Sequence, residues 1–408
     1  MQNLSLKEKN IRKCLVKTKS ILVTISGADH PGITSEFSEC LMLPYIKLID
    51  IGQSITHGLL SLSFLFEITD LNEEKNLKNK LSQKAQQLEM KLEFKTIINR
   101  HEVHYAGEKY ILSCVAQAGI TSEFLHDISS ILAKNDINIQ RIDNVSSSDF
   151  TSLEIQTVAH SLEVKWEKVK PQLINISNKH STDMAMLKDN VWRRNKRLIV
   201  FDMDSTLIQK EVIVEMAKVY GVGEQVHKIT EAAMNGVIDF DESLVKRVAL
   251  LKGMPEAKLK NILDEIPLTD GVEEFIMTVK KLGYKTAIIS GGFSYFANAF
   301  KEKLNIDYAF ANDLEISKNI LTGKVAGPIV NAEKKAMFLE LLAQQENIKL
   351  EQVVAIGDGA NDLPMLAKAG LGIAFHAKDI VKQNAQQHMS HGPMTSILHF
   401  LGITEKIG

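Results

Sequence analysis

The stretches "RLIVFDM" (197–203) and "VVAIGDGAND" (353–362) share one construction: a short apolar run that stops abruptly on aspartate. "YKTAIISGGF" (284–293) repeats the pattern and stops on Ser290-Gly291-Gly292. Short apolar runs without alternation read as strands covered on both faces. A fourth run, "DYAFANDLEI" (307–316), joins them, and helix-like stretches separate the main ones. Strands alternating with helices build an α/β fold around a mostly parallel sheet. Ligands of such sheets sit beyond the carboxyl ends of the strands. The second half of the chain is therefore constrained to bring Asp202, Asp204, Ser290, Asp358 and Asp362 to one edge.

Four aspartates on one edge repel each other unless a cation is present. Carboxylate-rich sites with few His or Cys suit a hard ion, and Mg²⁺ is the expected choice. Asp202 and Asp204 are two residues apart, so in extended chain their side chains point the same way. The plain alternative is a strand-end turn capped by Asp. For Ser290-Gly291-Gly292 it is an ordinary Gly-rich turn.

The first half carries an internal repeat. "GITSEF" occurs at Gly32–Phe37 and again at Gly119–Phe124, 87 positions apart. β-rich runs precede both copies and helix-like spacing follows both. Each unit reads β-α-β-β-α-β, a ferredoxin-like α+β arrangement. The units are placed at 18–100 and 106–182, with "STDMAMLKDNVWRRNKR" (181–197) as a polar linker and the α/β domain at 196–408. Tandem units of this kind resemble ACT domains, which often bind amino acids at their interfaces. Asp29, His30 and Gly32 stand where the first unit passes from strand to helix, a place that offers free backbone N–H groups to a carboxylate. The second copy has Ala116-Gln117-Ala118-Gly119 there, without the Asp, His or Pro. The resemblance implies that the first unit binds L-serine or another amino acid and that the units mediate a homodimer. A purely structural scaffold would show the same apolar pattern.

The ordered set DxDST, SGG, a lysine and GDGAND resembles the haloacid-dehalogenase-type phosphatases, and most closely their branch acting on O-phospho-L-serine. The match runs from about Arg197 to the C-terminus. It implies a Rossmannoid parallel sheet with a small helical cap, the cap here at about 214–268. It also implies roles. Asp202 would be the nucleophile, forming an aspartyl-phosphate. Asp202, Asp358 and the Asp204 carbonyl would hold Mg²⁺. The Asp204 carboxyl would be the general acid and base. Ser290 and the Gly291 N–H would hold phosphate oxygens, and Lys335 would neutralise phosphoryl charge. Lys334 is the other register for that lysine. Asn361 would help bind the substrate, and with Asp362 would fix metal-bound water and the lysine. In the cap, Glu211 matches the acid that meets the amino group and Arg247 the arginine that forks onto the carboxylate. Met234 and Phe240 match apolar residues that close over the substrate. Singly, Glu211 could be a solvated helix-start acid and Arg247 could pair with Asp241 or Glu242 on its own helix. Met234 and Phe240 could be cap core. His227 and His376 have no place in this chemistry and read as structural or surface residues.

Composition narrows the classes. Lys+Arg number 48 against 50 Asp+Glu, which argues against a global basic footprint for nucleic acid. No stretch approaches a membrane span. The charged start has no apolar leader core, and Cys14, Cys40 and Cys114 are scattered, as in a reducing cytoplasm. The leading expectation is a phosphoserine-hydrolysing enzyme at the last step of L-serine biosynthesis. A phosphatase for another small phosphorylated metabolite, or an amino-acid-sensing protein with a silent catalytic domain, remain the alternatives.

Overall fold

The computed structural model describes residues 18–97, 107–146, 151–159, 164–234 and 237–403, with only the backbone of Met234. The chain forms two compact units that divide at about residue 104.

In the first unit, β1 (Lys19–Ala28) leads to α1 (Ile33–Cys40), β2 (Ile46–Thr56), β3 (Leu59–Ile68), α2 (Glu74–Gln87) and β4 (Lys91–Ile97). The strands form an antiparallel sheet in the order β2-β3-β1-β4. Ile21, Val23 and Ile25 alternate inward along β1 and are fully buried. They meet Phe37 of α1 and Leu77 and Leu81 of α2 in one core. One face is thus covered by helices, as the period of two along β1 and of four along α2 requires.

The second unit opens with the same element sequence. β5 (Lys109–Ala116), α3 (Ser122–Lys134), β6 (Ile137–Asn144), β7 (Ser152–Ala159), α4 (Trp166–His180) and β8 (Thr182–Lys188) follow in turn. Strand order β8-β5-β7-β6 repeats that of the first unit. β8 corrects the reading of 181–197 as a polar linker. Six of its seven residues are buried, because it pairs with β5 on one side. Its single-residue bridge to β15 of the parallel sheet lies on the other.

The repeat is not repeated in detail. Thr121 is the N-cap of α3, its Oγ1 accepting the Phe124 N–H at 3.1 Å. The matching Thr34 lies inside α1 and donates instead to Gln53 of β2 at 2.7 Å. Here α1 starts two positions earlier in the repeat, from Gly32 at φ 104°. A positive φ is cheap only for glycine.

After β9 (Leu198–Phe201) come four helices: α5 (Val212–Tyr220), α6 (Gly223–Met234), α7 (Phe240–Ala249) and α8 (Ala257–Glu265). They form the helical cap, and a bridge between Ile208 and Leu268 ties its two ends together. The sheet resumes with α9 (Val272–Lys281), β10 (Lys285–Phe293), α10 (Ser294–Lys303), β11 (Tyr308–Ser317) and β12 (Ile320–Ala326). It finishes with α11 (Ala332–Gln345), β13 (Val353–Gly357), α12 (Leu363–Lys368), β14 (Leu371–Phe375), α13 (Asp379–Asn384), β15 (Gln387–Met389) and α14 (Ile397–Phe400). Strands β11-β10-β9-β13-β14-β15 are mutually parallel. β12, unforeseen in the sequence, returns antiparallel on β11. Because β15 meets β8, the parallel sheet and the second ferredoxin-like sheet are continuous over eleven strands.

Candidate active site

β9, β10 and β13 lie side by side, so their carboxyl ends coincide. Asp202 follows β9 directly, its N–H donating to the Ile356 carbonyl of β13 at 2.8 Å. The chain then makes a wide turn, closed by the Ile208 N–H on the Met203 carbonyl at 3.1 Å and holding Ser205 at φ 57°. That turn returns Asp204 toward the sheet and starts α5.

Lys335 is fully buried. Its Nζ donates to Asp202 Oδ1 and to Asp362 Oδ1, each at 2.8 Å. Of the adjacent lysines, Lys335 is therefore the one that reaches the acids. Burial opposes its charge, but the two carboxylates outweigh burial and raise its pKa. The other Asp362 oxygen accepts the Gly359 N–H at 3.0 Å, so this acid fixes both the lysine and its own loop. Asp202, Asp358 and Asp362 place carboxylate oxygens within 4.8 Å of one another. Asp358 also accepts from Thr206 Oγ1 at 3.1 Å. Asn361 folds back against Gly359 in the same loop.

Ser290 is fully buried and its Oγ accepts the Gly292 N–H at 2.9 Å. A Cβ on Gly292 would lie 2.7 Å from Asp204 Oδ2 and 3.1 Å from Ser290 Oγ. Glycine is required there so that Asp204 and Ser290 can close on the loop. Asp204 Oδ1 accepts the Val212 N–H of α5 at 3.1 Å.

The charges are out of balance. Burial first, then Asp362, pushes Asp202 up to about 6 against the pull of Lys335. Burial, with the charges of Asp202 and Glu211, pushes Asp204 up to about 8. Asp358 rises to about 8 through burial and the charges of Asp202 and Asp362. One lysine does not compensate three carboxylates, and the donor set is oxygen only, so the residues present fit a hard divalent cation.

The cap supplies the rest. Arg247 is buried; burial lowers its pKa, while the charges of Glu211 and Asp204 oppose that shift. Glu211 is the N-cap of α5. Phe240 begins α7 and stands over Gly291, where a Cβ would be 2.8 Å from its Cζ. Met234 ends α6, and its side chain lies outside the described residues. Asp29, His30 and Gly32 lie exposed in the first unit, where His30 Nδ1 is 3.1 Å from the Pro31 carbonyl. Glu123, Asp127 and His180 form another group of possible ligands, but Lys179 already bonds Glu123 and Asp127.

Sequence reasoning missed Asn312. Its Nδ2 donates to the Gly291 carbonyl at 2.8 Å and its Oδ1 accepts the Val330 N–H at 2.7 Å. A polar residue in the apolar run "DYAFANDLEI" was the available signal.

A haloacid dehalogenase-like hydrolase model matches residues 196–370, and an ACT domain model matches 19–95. A phosphoserine phosphatase of Streptomyces coelicolor is 35% identical over 95% of this chain and 93% of its own length. The chain belongs to the phosphoserine phosphatase family. Its Mycobacterium tuberculosis relative is 34% identical over 94% of this chain and 93% of its own. The Archaeoglobus fulgidus relative is 48% identical, but the match covers 55% of this chain and 65% of that one. Among solved structures, a probable phosphoserine phosphatase from Vibrio cholerae superposes with TM-score 0.58 at 35% identity, covering 74% of this chain and 89% of that one. A haloacid-dehalogenase family hydrolase from Salmonella enterica serovar Typhi gives TM-score 0.61 at 31% identity, covering 72% and 98%. This family member is thus a hydrolase with an α/β catalytic domain and an N-terminal ACT domain. Among the described residues, no helix is long and apolar enough to cross a membrane.

Proposed function

We propose that this chain hydrolyses O-phospho-L-serine to L-serine and phosphate, with Mg²⁺ as cofactor, at the last step of L-serine biosynthesis. The observation that carries this reading is the buried Asp202–Lys335–Asp362 cluster with Asp358 beside it, at the strand ends of a chain whose near-full-length relatives are named for that activity.

Asp202 attacks phosphorus, and the bond from phosphorus to the serine oxygen breaks as the aspartyl-phosphate forms. Asp204, whose burial favours the protonated carboxyl, gives its proton to the leaving serine oxygen. In the second half, Asp204 takes a proton from water as that water attacks phosphorus, and Asp202 is released. Ser290 Oγ and the Gly291 N–H hold phosphate oxygens, and Lys335 stabilises the charge that develops on them. Mg²⁺, held by Asp202, Asp358 and the Asp204 carbonyl, would supply charge neutralisation and orientation. Asn361 and Asp362 keep the loop and the lysine in place. Glu211 meets the substrate ammonium and Arg247 its carboxylate, while Phe240 excludes water above it.

Residues 18–100 and 106–188, the second extended from 182 to take in β8, are assigned as paired regulatory modules and 196–408 as the catalytic domain. L-serine or a similar amino acid would bind at Asp29, His30 and Gly32, and the assembly would be a homodimer. Cytoplasmic residence is supported by Cys40 and Cys114, both buried and unbridged.

The test is phosphate release from a panel of phosphorylated metabolites, with and without Mg²⁺. Phosphoserine should be preferred, and EDTA should abolish turnover. A preference for a substrate lacking the ammonium or carboxylate would refute the roles of Glu211 and Arg247.

A further inference from the structure

The first turn of α7 touches the α/β domain at two adjacent residues. Phe240 stands over Gly291. Asp241 Oδ2 accepts a hydrogen bond from Asn331 Nδ2 at 3.2 Å. Asn331 is the N-cap of α11, its Oδ1 accepting the Lys334 N–H at 3.2 Å. Its carbonyl accepts the Lys335 N–H at 2.9 Å. The residue that starts the helix bearing Lys335 is therefore also the residue that grips the cap. The preceding residue, Val330, donates its N–H to Asn312, which in turn holds the Gly291 carbonyl. The contacts close into a ring: Asp241, Asn331, Val330, Asn312, Gly291, Phe240 and back to Asp241.

We propose that the Asp241–Asn331 hydrogen bond is a latch that holds the cap over the site and couples its closure to the placement of Lys335 and Gly291. This assignment rests on the phosphatase reading of the site. A cap that admits substrate and releases product must be held by a weak, reversible contact. One half-buried carboxylate–amide bond suits that need, changing the open-to-closed ratio by about three- to ten-fold. Both residues act through Lys335 and Gly291, and so are positioning residues.

Asn331→Asp tests the latch without removing the helix cap, because aspartate still accepts the Lys334 N–H. It deletes the donor and sets two carboxylates against each other. KM for phosphoserine should rise about three- to ten-fold, with kcat changed less than about two-fold. Amide hydrogen exchange across residues 240–249, measured without substrate, should speed up by a similar factor. Adding Asp241→Asn to Asn331→Asp reverses donor and acceptor, and should return both readouts most of the way to wild type. Asp241→Ala, which leaves α11 intact, should speed cap exchange as Asn331→Asp does. Unchanged exchange in Asn331→Asp, no recovery in the double variant, or unchanged exchange in Asp241→Ala each overturns the latch. Absence of phosphoserine turnover in the wild type would refute the substrate reading alone, since the exchange measurement needs no substrate.

Discussion

Lys335 shows how tightly single residues are committed here. Its ammonium is fully buried between Asp202 and Asp362, and Asp362 is itself fully buried. Removing one partner from such a cluster strands the others. Lys335→Ala should therefore cost roughly 3–5 kcal/mol of stability, read from urea denaturation, besides its effect on turnover. Asp202→Asn is a different case. It removes one charge from an over-charged edge and keeps the shape. Folding should survive while phosphate release falls by at least about a thousand-fold; undiminished turnover would refute the covalent route. The acids were legible in the sequence because strand-end motifs are local. Asn312 was not legible as a site residue, because its partners Gly291 and Val330 lie 21 and 18 positions away.

Among elements, β8 is the one whose surroundings mattered most. Thr182–Lys188 follows a helix and precedes basic residues, and in the sequence it resembled a linker. Its core comes from its neighbours. Gln387 of β15 supplies both halves of a ladder contact to the Met186 backbone, at 2.9 and 2.8 Å. Asp183 accepts the N–H groups of Ser390, His391 and Gly392 at 2.6 to 3.2 Å. The segment "NAQQHMSHGPM" (384–394) thus welds the second ferredoxin-like sheet to the catalytic sheet. Asp183→Ala would leave those donors without their acceptor. It should destabilise by about 2–4 kcal/mol and speed amide exchange at Ser390–Gly392. His388, in the same seam, is buried, and among the described residues its Nε2 has no hydrogen-bond partner. Burial depresses its pKa to about 4, so between its ordinary value near 6.5 and about 4 the unfolded chain binds the extra proton. Stability from this residue is present near neutral pH and is lost as pH falls through that window. The stability difference between wild type and His388→Gln, read from melting curves, should shift by about 2 kcal/mol between pH 7 and 4.5, since the raised Asp204 and Asp358 act equally in both.

For the whole molecule, the proposed reading gives catalysis to the second unit and amino-acid sensing to the first. Serine titrated calorimetrically should give heat with the wild type and none with Asp29→Ala. Absence of heat in both would refute the effector site. EDTA should stop turnover while leaving the far-UV circular dichroism unchanged, because the core around the site is built of apolar residues. The sequence by itself determined the class of each unit and the acids at the strand ends. Periodicity and motif spacing are properties of neighbouring residues, and they survive in one dimension. The motif favoured Lys335 over Lys334, but only the tertiary structure showed the two acids it joins, Asp202 lying 133 positions away. The tertiary structure alone decided that β8 is a strand, that β15 joins two sheets into one, and that identical "GITSEF" segments start their helices two positions apart. Each of these turns on a partner brought from a distant segment, whose hydrogen bonds and buried area outweigh local preference.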